Sequence, residues 1–252
     1  MKLINRYLIA ASIAIIGLFA CQDETLSFSD ALLGLEFYPV EEGRSWTYRM
    51  DSTLIVSGGN TILNTSSYVR EEIVNSFING SGDTTFVLSI SKSPTIDGPF
   101  RTTNTWAIEK SNSRVIRIEE NLGFLKLAFP IREGNEADNT FFDQQIKVDI
   151  AQQQIQPYKG WRYKVLSRGN QLNVAGEQFI NVTTISQANN QEDFVNDLEQ
   201  RLVIEHYAPN VGLLSRSMEI FNTQCGTPCR DEAWIDKAEE GFSLVQTLVE
   251  YN

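Results

Sequence analysis

Two cysteines stand four positions apart in "CGTPC", Cys225 to Cys229. Thiols at this spacing close a small disulfide loop, stay reduced, or join a metal site. Gly226 and Pro228 supply turn geometry for the loop. A redox-active pair has two residues between its cysteines at a helix start, and here there are three. A metal needs further ligands, and the chain's one histidine, His206, lies about twenty residues upstream. His206 would also have to serve as base in any serine-histidine-acid triad, but in "RLVIEHYAP" it shares a strand face with Leu202 and Ile204. A lone histidine on an apolar face packs more often than it titrates for catalysis. Glu41-Glu42, Glu71-Glu72, Glu119-Glu120 and Glu239-Glu240 offer paired carboxylates for glycoside hydrolysis. Adjacent strand residues face opposite ways, however, and turn carboxylates are solvated. "VSGGN" (Val56 to Asn60) reads as a hairpin turn and not as a phosphate loop opening a helix. The residues point to no catalytic set, no metal site and no cofactor.

The elements that would position these groups are strands. From Trp46, one face reads Trp46, Tyr48, Met50, Leu54, Val56 and the other Thr47, Arg49, Asp51, Thr53, the period of a half-buried strand. Turn signals follow at "SGGN", "NGSGD", "DGP", "SNS", "NLG" and "RGN", with strand-like runs such as "RVIRIEE", "WRYKVLS", "QFINVTTIS" and "RLVIEHYA" between them. Their short spacing favours antiparallel hairpins in sequence. Helix is scarce: "SDALLG" and "NQEDFVNDLEQ" (Asn190 to Gln200) offer a turn or two each. Residues 131–160, rich in Gln, Asn and Asp, read as a long loop. Hydrophobic residues at 42% and aromatics at 10% suffice for a core. One all-β domain over 36–252 is expected, mostly antiparallel, with a two-sheet β-sandwich as the alternative.

The first twenty residues stand apart. Lys2 and Arg6 precede "YLIAASIAIIGLFA" (Tyr7 to Ala20), which is uncharged and apolar. A bilayer-spanning helix needs about 20 residues, whereas this length suits the h-region of a secretory signal. The segment ends "LFAC", which resembles the bacterial lipobox and implies cleavage before Cys21 and acylation of that cysteine. Residues 1–20 are then a signal peptide and 21–35 a lipidated tether. Several acyl chains on one cysteine hold a protein on a membrane without further contacts. "QDE" (Gln22 to Glu24) resembles an acidic signal that sends Bacteroidota lipoproteins to the cell surface, so an outer-membrane position is expected. With Cys21 used by lipid, an even pair of cysteines remains outside the cytoplasm, which favours the Cys225–Cys229 disulfide. Losing the two leader cations takes the formal charge from −11 to −13. A surface that acidic excludes nucleic acid as a partner.

Two loops echo each other. "FYPVEEGRSWTYRMDS" (Phe37 to Ser52) and "AFPIREGNEAD" (Ala128 to Asp138) share aromatic-Pro-aliphatic, then Glu-Gly. "GRSWTYRM" (Gly43 to Met50) is echoed by "KGWRYKVL" (Lys159 to Leu166), each with Trp-x-Tyr and a basic residue. Pro suits the entry to a strand, and Gly takes positive φ. In order along the chain, these motifs with "VAGEQFINVTTIS" and "EHYAPNVGLLSRSMEI" resemble a group of uncharacterised bacterial, Bacteroidota-type lipoproteins. Their pattern runs Tyr-Pro-x-x-x-Gly-x-x-Trp-x-Tyr early and Tyr-Ala-x-x-Val-Gly-Leu late. Ala137 stands where many relatives carry a second tryptophan. The resemblance implies a single curved antiparallel sheet, partly closed like a half-barrel, and carries over no catalytic residues.

The functional expectation is an outer-membrane-anchored, non-enzymatic lipoprotein that binds a lipid, glycan or protein partner on its concave sheet. Trp46, Tyr48, Trp161 and Tyr163 are the binding candidates, because rings on a concave face hold acyl chains or stack on sugars, although buried rings are simply core. The alternative is an envelope or glycan hydrolase whose carboxylates meet only in the fold.

Overall fold

The computed structural model describes residues 33–56, 58–59, 61–80, 82–192 and 196–252. The leader, Cys21 and most of the tether lie outside them, as does most of "SDALLG". The chain runs β1 (Ser45–Val56), β2 (Thr61–Ile78), β3 (Thr84–Ser93), β4 (Arg101–Lys110), β5 (Arg114–Glu119), β6 (Leu122–Ala128), β7 (Glu136–Ala137), β8 (Val148–Ile150), β9 (Gln153–Ile155), β10 (Trp161–Val174), β11 (Glu177–Asn189), β12 (Glu199–Ala208), β13 (Gly212–Asn222) and β14 (Glu240–Tyr251). Alternation produces these strands: in β5, Val115 and Arg117 point inward, and β12 turns Val203, Glu205 and Tyr207 into the core.

Twelve strands make one antiparallel sheet in the order β6-β5-β4-β3-β2-β1-β14-β13-β12-β11-β10-β7, while β8 and β9 pair separately. The sheet curls into a barrel closed except at one seam, between β6 and β7. A single closed curve of this kind replaces the sandwich alternative. Across the seam, Leu125 N donates to Asn139 O (2.8 Å) and Phe141 N to Gly123 O (2.9 Å), so two hydrogen bonds span it where a full ladder is missing.

The echoed loops explain the order. Gly43 N donates to Ile73 O on β2 (2.8 Å), and Ile73 N to Arg44 O (2.9 Å). Gly134 N donates to Val165 O on β10 (2.9 Å), and Val165 N to Asn135 O (2.9 Å). Both glycines sit at positive φ, 85° and 80°. Each loop therefore clips the first strand of a unit to the second in the same way. Aligned so, β1 to β6 match β7 and β10 to β14, and the sheet reads as six strands followed by six in the same spatial order, with β8–β9 inserted. Ala137 is then the counterpart of Trp46, whereas Trp161 opens the second strand of its unit. The Trp-x-Tyr echo is not part of this repeat.

One end of the barrel is covered by the segment before β1. Leu35, Phe37 and Tyr38 join the main core, and Lys110 Nζ donates to Leu35 O and Tyr38 O, both at 2.9 Å. The inserted 138–160 region packs Phe142, Tyr158 and Ile155 against Phe124 and Trp161 inside the barrel. On the outer wall, the β13–β14 connection lays Trp234 and Ile235 over Ile55 and Phe221.

Two local expectations are corrected. "RGN" (Arg168 to Asn170) is not a turn: it lies within β10, where the pairing register shifts between Ser167 and Asn170, and the chain reverses at Ala175-Gly176. A bulge absorbs an extra residue without reversing the strand, and its residues look like a turn in sequence. None of the described residues in 190–200 is helical, since Asn190 and Gln191 turn and β12 has begun by Glu199.

Cys225 and Cys229 lie in the β13–β14 connection at disulfide distance, Cα to Cα 5.6 Å. A crosslink closing so short a loop is worth about 2 kcal/mol in the chain-entropy model. Alkylation of the mature protein without reductant, followed by intact mass measurement, is expected to label neither thiol. Two added alkyl groups would show the pair to be reduced.

Candidate functional site

The barrel interior holds a cavity of about 260 Å³. Its wall combines two chemistries. Met50, Trp106, Phe124, Trp161, Phe242 and Leu244 give an apolar and aromatic side. Glu71, Arg117, Glu119, Lys126 and Arg216 give a charged side, which Glu205 backs. Larger surface grooves, of about 790, 640 and 310 Å³, are lined by strand and loop residues, among them Arg168, Asn210, Gln152 and Arg162.

The charged groups come from strands far apart in sequence. Arg117 on β5 reaches Glu71 on β2 through two hydrogen bonds, Nη1 to Oε2 at 2.8 Å and Nη2 to Oε1 at 2.7 Å. Arg117 Nε lies 3.0 Å from Glu119 Oε1, an ion pair without hydrogen-bond alignment. The Arg117 guanidinium also sits 4.6 Å from the centre of the Trp106 ring. On the other side, Glu205 of β12 accepts from Lys126 Nζ of β6 (3.0 Å), Arg216 Nε of β13 (2.6 Å), Tyr207 Oη (2.7 Å) and Gln187 Nε2 of β11 (2.9 Å). Lys126 to Glu205 joins the two six-strand units across the interior. Arg117 and Arg216 each occupy the fifth strand of their unit. Arg216 Nη2 is buried and has no hydrogen-bond partner among the described residues.

The electrostatics follow from burial and pairing. Burial alone would raise the Glu205 carboxyl, but Lys126 and Arg216 beside it overcome this and hold it well below the usual carboxylate range. Burial likewise works against ionised Glu119, and Arg117 with Lys126 brings it below its ordinary value. Lys126 is pushed down, first by burial and then by Arg216, with Glu205 compensating only in part. Tyr38 is pushed up to about 12, chiefly by burial.

The four aromatic binding candidates are buried. Trp46 Nε1 donates to Val211 O (2.6 Å), Tyr48 Oη to Leu213 O (3.1 Å) and Trp161 Nε1 to Pro157 O (2.8 Å), while Ala128 N donates to Tyr163 Oη (3.4 Å). The structure does not bring them together as a stripe. Trp161 lines the cavity, Trp46 and Tyr48 line a water-sized void of about 20 Å³ beside it, and Tyr163 belongs to the main core. His206 is half-buried on the other face of β12, with Nδ1 3.1 Å from Thr184 Oγ1, and burial pushes its imidazole down. Of the acid pairs, Glu71 and Glu119 turn into the barrel while Glu72 and Glu120 are exposed, and Glu41 and Glu42 are both exposed. Among the described residues no group of three or more His, Cys, Asp or Glu could hold a metal ion.

Sequence reasoning missed Arg117, Lys126, Glu205 and Arg216. The available signal was a charge alternating with apolar residues, Val115-Arg117-Glu119 and Val203-Glu205-Tyr207. In β12 the opposite face, Leu202-Ile204-His206, is nearly as apolar, so the pattern did not reveal which face turns inward.

No protein-family model matches the sequence, and no curated protein matches it significantly. Solved structures resemble it, three of which follow. One is a protein from Bacteroides fragilis assigned as exported, with a YmcC-like fold, at 11% identity and TM-score 0.36, covering 86% of this chain and 98% of that one. Another, assigned as a lipoprotein from Parabacteroides distasonis, has 11% identity and TM-score 0.35 over 86% of this chain and 98% of that one. A DUF1329 family protein from Desulfovibrio piger has 11% identity and TM-score 0.21, covering 88% of this chain and 90% of that one. Scores this low establish no shared site.

Proposed function

We propose that the protein is an exported, lipid-anchored binding module of the bacterial outer membrane, tethered through Cys21, that takes a small ligand into its barrel. The observation that carries this reading is the interior cavity of about 260 Å³ lined by both apolar and charged side chains. A barrel built only for stability would fill its interior with side chains. Buried ion pairs add little net stability over apolar packing, so a six-group network bordering a cavity is better explained by a ligand than by folding. An apolar enclosure with a few placed polar groups is the general form of a small-molecule site.

The hydrolase alternative finds less support in the same groups. Glycoside hydrolysis needs one carboxyl held protonated by a raised pKa. Glu119 and Glu205 are both shifted the other way. Native mass spectrometry of the mature protein, purified without denaturation, tests the binding reading. The expected spectrum contains an added mass that denaturation releases. A clean unliganded mass, together with no partner in a surface pulldown, would overturn it.

A further inference from the structure

We propose that the cavity ligand is an amphiphile with one apolar chain and one anionic head, the head placed against Arg216 and the chain lying along the inner face of β1, β2 and β14. The inference rests on the binding reading above and adds the ligand's chemistry.

Charge supplies the first argument. The cavity wall carries Lys92, Arg117, Lys126 and Arg216 against Glu71 and Glu119, with Glu205 behind it. Lys92 is exposed at the rim, so within the barrel three cations balance three carboxylates, but unevenly, since Arg117 alone pairs with both Glu71 and Glu119. A local cationic excess sits at the Glu205 end, where one carboxylate serves both Lys126 and Arg216. Arg216 Nη2 is the unused donor there. An anionic oxygen at that point would satisfy the donor and meet the local cationic excess, and charge-assisted hydrogen bonds are the strong class.

The chain's path comes from strand register. Met50, Phe242 and Leu244 border the cavity, which fixes the inner face of β1 and β14. On that face Ser52 stands opposite Leu244 and Thr65, and Leu54 opposite Phe242 and Leu63. β3 pairs with β2 only as far as Tyr68, opposite Ser93, so β2 from Thr61 to Ser67 extends past the β3 wall. Leu63 is consequently 47% exposed although it faces inward. Leu54, Leu63 and Phe242 make an apolar ramp from solvent to the cavity. A path that is apolar along β1, β2 and β14, with Lys92 exposed at its rim and cations at its inner end, matches an acid-headed chain entering head first.

The test compares three twelve-carbon probes below their micelle concentrations: dodecanoate, dodecanol and dodecyltrimethylammonium. Binding to the mature protein is followed by calorimetry. Contact with Trp106 and Trp161 is read by tryptophan quenching with a chain-brominated dodecanoate. Dodecanoate is expected to bind about tenfold or more tighter than dodecanol, the factor of one charge-assisted hydrogen bond. The cationic probe is expected to bind weakest. Arg216→Lys keeps a cation for Glu205 but removes the second donor, and it is expected to bring dodecanoate close to dodecanol while leaving dodecanol unchanged. Should that variant fold poorly, Arg216→Met, which leaves Glu205 its bonds to Lys126, Tyr207 and Gln187, removes the donor altogether and carries the same expectation. Dodecanol binding as tightly as dodecanoate, or a preference that survives both variants, would overturn the head assignment and leave the cavity reading standing. Absence of binding and quenching with all three probes would overturn both.

Discussion

Replacing Glu205 with alanine is expected to destabilise the protein by about 3–5 kcal/mol, the range for breaking a buried ion pair from one side. The carboxylate is fully buried, 0% exposed, and four side chains point at it. Its removal strands Lys126 and Arg216 in the barrel interior, with side chains 4% and 12% exposed, and leaves Tyr207 Oη without this acceptor. Chemical denaturation of both proteins at neutral pH measures the difference. Glu205→Gln separates charge from volume: it keeps the shape and removes the countercharge, so most of the loss should remain. A loss under about 1 kcal/mol in both variants would mean that water or a rearranged partner compensates the cations. The same carboxyl predicts a pH dependence. Its folded pKa lies below the unfolded value, as does that of Glu119, so their contribution is present above the unfolded carboxylate range near pH ~4.3 and is lost as pH falls through the folded values. Wild-type stability should therefore drop on acidification below about pH 5, and the Glu205→Gln curve should be flatter there.

Gly241→Ala is expected to cost about 4 kcal/mol, from overpacking and backbone strain together. Gly241 sits at the start of β14 between Phe221 on β13 and Ile55 on β1, with φ of 120°. An added Cβ would lie 2.0 Å from Ile220 O and 2.9 Å from Phe221 Cα. Both are backbone atoms of a paired strand, so no side-chain rotation relieves the clash, and β14 must move off β13. Phe242 and Leu244, which follow directly, carry the cavity wall, so ligand binding should fall along with stability. Gly134→Ala is the control. Its φ is 80°, but nothing lies within 4 Å of the new Cβ, which leaves only the left-handed penalty of about 1–2 kcal/mol. Thermal melts of the two variants should differ clearly, and equal losses would place the strain in φ alone.

Much of the architecture was legible because it depends on local chemistry. Alternation in "SWTYRMDS", turn residues between short apolar runs and the near absence of a 3.6 period require strands joined as hairpins. The echo of Phe37–Arg44 in Ala128–Asn135 was also visible, since Pro and Gly have few interchangeable substitutes at such a loop. Its meaning was not visible. That each loop clips the first strand of a six-strand unit to the second became apparent only from the bonds to Ile73 and Val165, partners about thirty residues away. The aromatic pairs show the same limit from the other side: Trp46, Tyr48, Trp161 and Tyr163 announce rings on one face, but not whether that face is solvated. Here it is buried, and each pair's polar atoms meet backbone groups. The sequence by itself determined strand content, antiparallel sense, the close cysteine pair and a strongly acidic surface, all properties of neighbouring residues or of composition. Tertiary structure alone decided the cavity and its charges. Glu71 and Arg117, or Lys126 and Glu205, are separated by 46 and 79 residues. Their meeting depends on the curvature that brings β2 to β5 and β6 to β12 across the interior, and strand periodicity places each side chain on a face without fixing what lies opposite it.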